Sequence, residues 1–279
     1  MSVSVLILTL NEERNLPGCL ESVAAFDDVV VFDSFSTDRT VEIARNAGAR
    51  VFQRQFDNYG SQREAARTQV AYKYPWVLAL DADERVDEEL KAELRAIAAL
   101  PETSHRAYRV RRKDFFMGKW IKHSTLYPSW FVRFYQPSWI QYEPRAVHEY
   151  PRVEGSIGEL QGHLHHYSFN NGLSAWLSKH VRYADLEAHE GLQTLRGGHI
   201  DWRGLFSQSD PVRRRRAIKG LSCHLPFRPT LRFLYMYAFR LGILDGLPGL
   251  TYCRMLAMYE YMIVIKMREL QRREKGLTV

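Results

Sequence analysis

The sequence predicts an α/β fold: a mostly parallel, doubly wound sheet followed by a helical C-terminal extension. Three observations lead there. Short β-branched apolar runs alternate with stretches of helical period over the first hundred residues. Aromatic-rich, β-like runs then occupy 105–170, and from about 172 onward the pattern turns helical and basic. A chain of 279 residues, 46% of them hydrophobic and with no low-complexity tract, can bury a sizeable core.

The elements follow in order. "VSVLILT", residues 3–9, is continuous and β-branched, as a strand buried on both faces should be. Leu16, Leu20 and Val23 then recur at helical spacing up to Ala25. "DVVVF" leads a second strand to Asp33, and "TVEIARNAG" is a helix closed by Gly48. "ARVFQR" is a third strand. Ser61 and Glu64 have capping-box spacing, which predicts a helix from Ser61 to Tyr72. "WVLAL" is the fourth strand, and Asp87 can cap a helix ending near Leu100. Residues 105–170, with "RAYRVRR", "WFVRFY" and "LQGHLHHYSF", are expected to extend the same sheet and wall its site. The boundaries predicted are therefore 1–170, with a nucleotide-binding half (1–100) and an acceptor-side half (101–170), and a helical basic extension over 171–279.

Charge is unevenly distributed. Residues 1–202 hold 24 basic and 27 acidic side chains, whereas 203–275 hold 15 and 5. The C-terminal part is thus suited to an anionic partner such as phospholipid or nucleic acid. Three scattered cysteines suggest neither disulfides nor zinc. The start lacks a basic n-region, and Arg240, Asp245 and Arg254 interrupt the most apolar stretch, so a cytoplasmic protein is expected.

In such sheets ligands bind at the carboxyl ends of the strands, and three predicted strands end at Thr9, Asp33 and Asp81. The last opens "DADE", where Asp81, Asp83 and Glu84 crowd together. On an extended chain Asp81 and Asp83 point to the same side, so their ionisation needs a nearby positive charge. Mg2+ or Mn2+ would supply it, and such ions fill their remaining positions with water and phosphate oxygens. A diphosphate ligand is implied. The plainer alternative is a solvated turn before the next helix.

"LILTLNEERNLPGCLESV", "VVVFDSFSTDRTVEIARNAGARV", "YGSQREAAR" and "WVLALDADER", in that order, resemble the family 2 glycosyltransferases of GT-A fold. Later stretches, among them "VRFY", "VHE", "HHYSF" and "LDGLPGL", resemble the bacterial enzymes of lipopolysaccharide-core assembly often described as beta-glucosyltransferases. The resemblance implies an inverting, metal-dependent transfer of a sugar from a nucleotide diphosphate to a glycan or lipid-linked acceptor. It places Thr9 and Asp33 at the nucleoside, Glu12 and Arg63 at the nucleotide and diphosphate, Asp81 at ribose or sugar, and Asp83 on the metal. Phe35 stands where many relatives have Gly, and Ser129 where Asp is common.

Direct displacement also needs a base for the acceptor's proton. Glu149 of "VHE" is the candidate; pairing with Arg145 or Arg152 is its alternative, and Asp114 and Glu143 have no motif behind them. A late histidine can complete the metal shell in this fold, which brings in His165, with His166 as the other choice; His163 shares a face with His165, whereas His166 does not. His148 has only a packing reading to weigh against a site role. Trp120, Tyr127, Trp130 and Trp139 are expected to be mostly core, with one or two along a sugar cleft. Met255, Leu256, Tyr259, Met262, Ile263 and Met267 form a helical stripe that would pack on another helix or lie on a membrane, and Arg213 to Arg216 are the stronger membrane candidates. With lipid as the basic part's partner, on the inner face of the cytoplasmic membrane, no nucleic acid is expected. Two other classes remain: a nucleotidyltransferase, although "TLNEERN" lacks the glycine-rich loop it needs, and a non-enzymatic polyanion-binding module, which leaves the strand-end acids unexplained.

Overall fold

The computed structural model describes residues 2–142, 151–198, 200–207 and 211–278. They divide into two compact units, the first comprising Met1–Trp120 and Leu126–Asn171, the second Ile121–Thr125 and Gly172–Val279.

In the first unit, strands β1 (Ser4–Thr9), β2 (Asp28–Asp33), β3 (Arg50–Gln53) and β4 (Val77–Asp81) run parallel in the order β3-β2-β1-β4. They are separated by helices α1 (Leu16–Ser22), α2 (Thr40–Asn46) and α3 (Tyr59–Gln69). The near-continuous burial of β1 and β4 reflects apolar layers on both faces. Beyond β4 lie β5 (Glu84–Val86) and α4 (Glu88–Ala98), then β6 (Ala107–Phe116), the short β7 (Lys119–Trp120), β8 (Ser129–Tyr135), β9 (Ile140–Tyr142), β10 (Pro151–Val153) and β11 (Ile157–His166). The segment after residue 105 does extend the sheet. β8 joins β4 antiparallel, β6 follows β8, β11 runs parallel to β6, and β5 closes the edge antiparallel to β11. The sheet is parallel from β3 to β4 and mixed beyond β4, while β9 and β10 form a separate ribbon.

Two local readings change. α3 starts at Tyr59, two residues before Ser61, because the Asn58 side chain accepts from the Ser61 N–H at 2.8 Å and caps it. Glu64 does not complete a capping box; it binds Arg67 and accepts from the Tyr142 N–H at 2.9 Å. β5 was not foreseen, being three residues long and charged. Asp87 caps α4 as expected, accepting from the Leu90 N–H at 2.9 Å. α4 lies so close to β11 that a Cβ on Gly162 would come within 2.3 Å of the Leu90 backbone nitrogen.

The second unit is helical. It contains α5 (Leu173–Gly197), α6 (Trp202–Leu205), α7 (Pro211–His224), α8 (Arg228–Leu234) and α9 (Gly246–Glu274), with a π-helical turn at Tyr235–Phe239 and a 3-10 turn at Gly242–Asp245. The apolar stripe of α9 is used internally: Ile263 and Met267 are buried against Ala184, Ala188 and Leu192 of α5, with Tyr259 and Met262 alongside. Asp245 is buried and accepts from the N–H groups of His123 and Ser124 and from the Ser124 hydroxyl, which fastens residues 121–125 to this unit. No helix among the described residues is long and apolar enough to cross a membrane.

Candidate active site

The parallel strand ends converge as the sequence predicts. Thr9 donates to Asp33 at 2.9 Å, and both are buried. Asp33 also accepts from the Ser36 N–H and hydroxyl and from the Gln53 amide, so its carboxylate is saturated by protein donors. A nucleoside contact at Asp33 would have to displace one of them. The loops after β1 and β2 are clasped together, with the Asn11 side chain accepting from the Thr37 N–H and the Ser36 hydroxyl from the Asn11 N–H, each at 2.8 Å. Phe35, in place of the familiar glycine, keeps the left-handed backbone (φ 59°) that glycine adopts freely, with its ring half-exposed. Glu12 accepts from the Asn15 and Asn171 amides at 2.8 and 3.0 Å.

At the end of β4 the crowded acids meet cations drawn from three other elements. Arg63 of α3 donates to Asp81 Oδ1 at 2.7 Å, and Arg133 of β8 donates to Asp81 Oδ2 at 2.5 Å and to Glu84 Oε1 at 2.9 Å. Arg112 of β6 lies 3.1 Å from Asp114 and 3.9 Å from Glu84. Glu84 Oε2 accepts from the Asp81 N–H at 3.0 Å. Burial opposes the charge on Asp81, but Arg133 and then Arg63 outweigh it and hold this carboxyl well below the usual range. Glu84, fully buried, goes the other way: burial outweighs Arg133, and Asp81 adds to the rise. Arginines thus stabilise most of the crowding that the sequence alone assigned to a metal.

Asp83 differs. It points toward His166, whose Nε2 lies 3.1 Å from Asp83 Oδ2, while His166 Nδ1 lies 2.6 Å from Asp114. Burial works against charging His166, yet Asp83 and Asp114 raise it to about 9 even with Arg112 nearby. Asp83 is lowered: burial opposes its charge and the imidazolium overcomes that. Its carboxylate is partly exposed. An arginine cannot give up its proton near neutrality, but a histidine can, so a divalent cation could replace the imidazolium proton here. An Asp–His pair with a second carboxylate on the far ring nitrogen is the orientation seen around metal-bound histidines. The donor set fits Mg2+ or, with an imidazole present, Mn2+.

His165, the histidine first assigned to the metal, faces the other way. It lies 3.9 Å from Asp87 and against the Phe115 ring, because successive β11 side chains alternate between sheet faces. The pairings His166↔Glu84 and His166↔Asp114 bring His166 to the acids instead. His163, on the His165 face, forms with Asp87 and Glu89 a separate group whose ligand atoms lie within 4.8 Å of one another. Glu149 and His148, like Glu143 and Arg145, lie outside the described residues.

The aromatic residues are less buried than expected. Trp139 is exposed beneath Arg106, and Trp130 is half-buried beneath Arg109 and Arg111. Half-buried Trp120 and Tyr127 meet edge to face at 5.2 Å, and Tyr127 Oη lies 3.0 Å from His163 Nε2. The sequence also missed Arg133 and Arg112. Arginines that alternate with aromatic residues in "RAYRVRR" and "WFVRFY" were the available signal.

His163 is lowered to about 4, first by burial and then by Lys113 and Arg111. A histidine depressed in the folded state adds stability above its unfolded value of about 6.5 and loses it as pH falls toward about 4. His163→Gln should therefore shrink the loss of unfolding free energy on going from about pH 7 to about pH 4.5, by at most ~1.4 kcal/mol per pH unit, as read by urea denaturation. An unchanged loss would contradict the assignment.

Comparison with known proteins identifies the family to which the chain belongs. The lipopolysaccharide core biosynthesis glycosyltransferase LpsC of Rhizobium meliloti (strain 1021) is 27% identical over 274 residues, 95% of this chain and 92% of LpsC. An uncharacterized glycosyltransferase of Rickettsia bellii (strain RML369-C) is 36% identical over 111 residues, 39% of this chain and 37% of its own length, so this chain spans well under half of that relative. Among solved structures, S. aureus TarS (residues 1–349) aligns over 99% of this chain and 92% of its own, at 16% identity and a TM-score of 0.44. The profile described as Glycosyl transferase family 2 matches residues 4–149, more than half of the sequence, from β1 through the acids that end β4 and on to the motif containing Glu149. The chain belongs to glycosyltransferase family 2.

Proposed function

We propose that this enzyme is an inverting, metal-dependent hexosyltransferase that moves a sugar from a nucleotide diphosphate to a glycan or lipid-linked acceptor of the lipopolysaccharide type. One observation carries the metal dependence: among the acids after β4, Asp81 and Glu84 are matched by arginines, whereas Asp83 has a histidine partner that a cation could replace. Asp83 and His166 would hold Mg2+ or Mn2+, which when bound stabilises negative charge on a departing diphosphate. Asp114 would keep the His166 ring oriented. Arg63 and Arg133 would keep Asp81 ionised and fixed for a ribose or sugar hydroxyl. The donor half would be completed by Thr9, Glu12 and Asp33, with Asp33 holding the loop shape that its four donors impose.

The similarity to LpsC over nearly its whole length supports a lipopolysaccharide-type acceptor. The chain would work in the cytoplasm, on the inner face of the membrane. Glu149 would take the acceptor's proton; Glu149→Gln should leave donor binding intact and cut transfer at least about a hundredfold, the low end for a general base. Normal turnover in that variant would remove Glu149 from the mechanism.

The reading is tested by thermal shift with UDP, GDP and ADP sugars, each with and without manganese, followed by assay of donor hydrolysis. One donor should raise the melting temperature only with metal and be slowly hydrolysed, because a ligand that binds only the folded state stabilises it. No response to any donor would overturn the proposal. Formation of a nucleoside triphosphate from sugar nucleotide and pyrophosphate would replace it with a nucleotidyltransferase.

A further inference from the structure

We infer that the segment from Leu225 to Leu247 docks this enzyme on an anionic phospholipid bilayer; the inference rests on the lipid-linked acceptor proposed above and names the surface that would reach it. Membrane binding was expected of the four arginines at 213–216 or of the α9 stripe. Arg213 pairs with Asp201, and the stripe from Tyr259 to Met267 is packed on α5.

Between Leu225 and Leu247 Met236 is buried, but many of the other apolar side chains are exposed. Phe227 and Phe239 are about 80% exposed, and Leu234, Ile243, Leu244 and Leu247 are all more than half exposed. α8, the π-helical turn, the 3-10 turn and α9 pack on one another, so these side chains are carried by neighbouring elements. Isolated exposed leucines are ordinary, but an apolar concentration of this density marks an interaction surface. Backbone conformation points the same way. Phe227 and Leu241 both adopt φ near +60°, which is costly for such side chains, and both are exposed, so neither gains core packing in return.

Charge selects the occupant. The segment contains Arg228, Arg232 and Arg240 and one acid, Asp245, which is buried beneath Ser124. In the following helix Glu260 is held by Arg228 and Glu269 by Arg273. Arg228 is mostly buried on Glu260, so the remaining positive charge of the segment belongs to the half-buried Arg232 and Arg240. An apolar surface with these cations and no exposed acid of its own matches the boundary between acyl chains and anionic headgroups. A second copy of the chain would instead set arginines against arginines across a two-fold axis.

The test uses the full chain with vesicles of phosphatidylcholine, pure or with roughly a third phosphatidylglycerol, read by co-sedimentation. Wild type should bind the anionic vesicles, more weakly in about 0.5 M salt. Phe227→Asn with Phe239→Gln should lower the partition coefficient at least about tenfold, since burying one phenylalanine is worth that much or more. Asparagine tolerates the left-handed backbone at 227, so the change should not impair folding; the single variant Phe227→Asn, with a smaller loss expected, guards against misfolding of the double. Failure of wild type to bind, equal binding to neutral vesicles, or undiminished binding by the folded variants would overturn the inference. So would light scattering that shows a wild-type dimer lost in the variants with no vesicle binding by either. Donor-dependent thermal shifts are measured on the same samples: if they fail while vesicle binding behaves as described, the transferase reading falls and the docking surface stands.

Discussion

Asp83→Ala is expected to abolish the manganese-dependent rise in melting temperature caused by a sugar nucleotide and to lower transfer at least about a hundredfold, the scale of losing one pre-organised electrostatic contact to developing charge. The reason is selective. Asp83 is the acid of "DADE" whose neighbour, His166, carries a proton that a metal ion can displace, as an arginine's cannot be, so it is the acid able to exchange a proton-bearing partner for a cation. Removing it leaves His166 with Asp114, which already holds Nδ1, and a neutral imidazole there is tolerable. The variant should fold with Asp114 still holding the ring, and its metal-independent melting temperature should fall somewhat because the imidazolium loses Asp83. Retained metal-dependent donor binding in a folded Asp83→Ala protein would remove the metal assignment, and with it the answer to how Asp83 is used.

Arg133→Met should produce the largest loss of stability. Arg133 is almost wholly buried, and its guanidinium joins Asp81 to Glu84, which has no exposed surface. Taking away one partner of a buried ion pair leaves an uncompensated charge, typically at a cost of about 3–5 kcal/mol. Arg63 would still compensate Asp81, and Arg112, 3.9 Å from Glu84, is too distant to replace the lost hydrogen bond. Urea unfolding should show the loss, and pairing the change with Glu84→Gln should recover part of it. The amide oxygen of Gln can still accept from the Asp81 N–H while needing no countercharge. Proton linkage supplies a second readout. Loss of Arg133 raises the folded-state values of both acids, so the variant's folded state takes up protons more readily and its deficit relative to wild type should shrink as pH falls. A deficit independent of pH would mean that packing, not charge, is what Arg133 supplies.

Much of the parallel half of the sheet was legible because its signals are local. Continuous β-branched runs identify buried parallel strands, Asp87 sits one residue before its helix, and polar residues at Thr9, Asp33 and Asp81 follow directly on apolar strands. The α3 boundary failed for an equally local reason: Asn58 and Ser61 both offer capping chemistry, and the Asn58 side chain takes the Ser61 N–H. For the histidines, strand parity correctly paired His163 with His165 and separated His166. Parity alone does not say which face meets the acids. That is decided by the register of β11 against β5 and β6, a long-range pairing invisible in the segment itself.

The sequence by itself determined a doubly wound α/β sheet, the convergence of its strand-end polar residues and a basic helical C-terminal part, since composition and periodicity are properties of neighbouring residues, and its ordered motifs carried the resemblance to family 2 glycosyltransferases of GT-A fold. Tertiary structure decided how the charges are shared. Arg133 lies 52 residues from Asp81 along the chain and reaches it because β8 inserts antiparallel beside β4, and Asp114 meets His166 because β6 and β11 run side by side. Coulomb energy depends on separation in space and on the burial of each group, and the order of residues contains neither until the sheet is assembled.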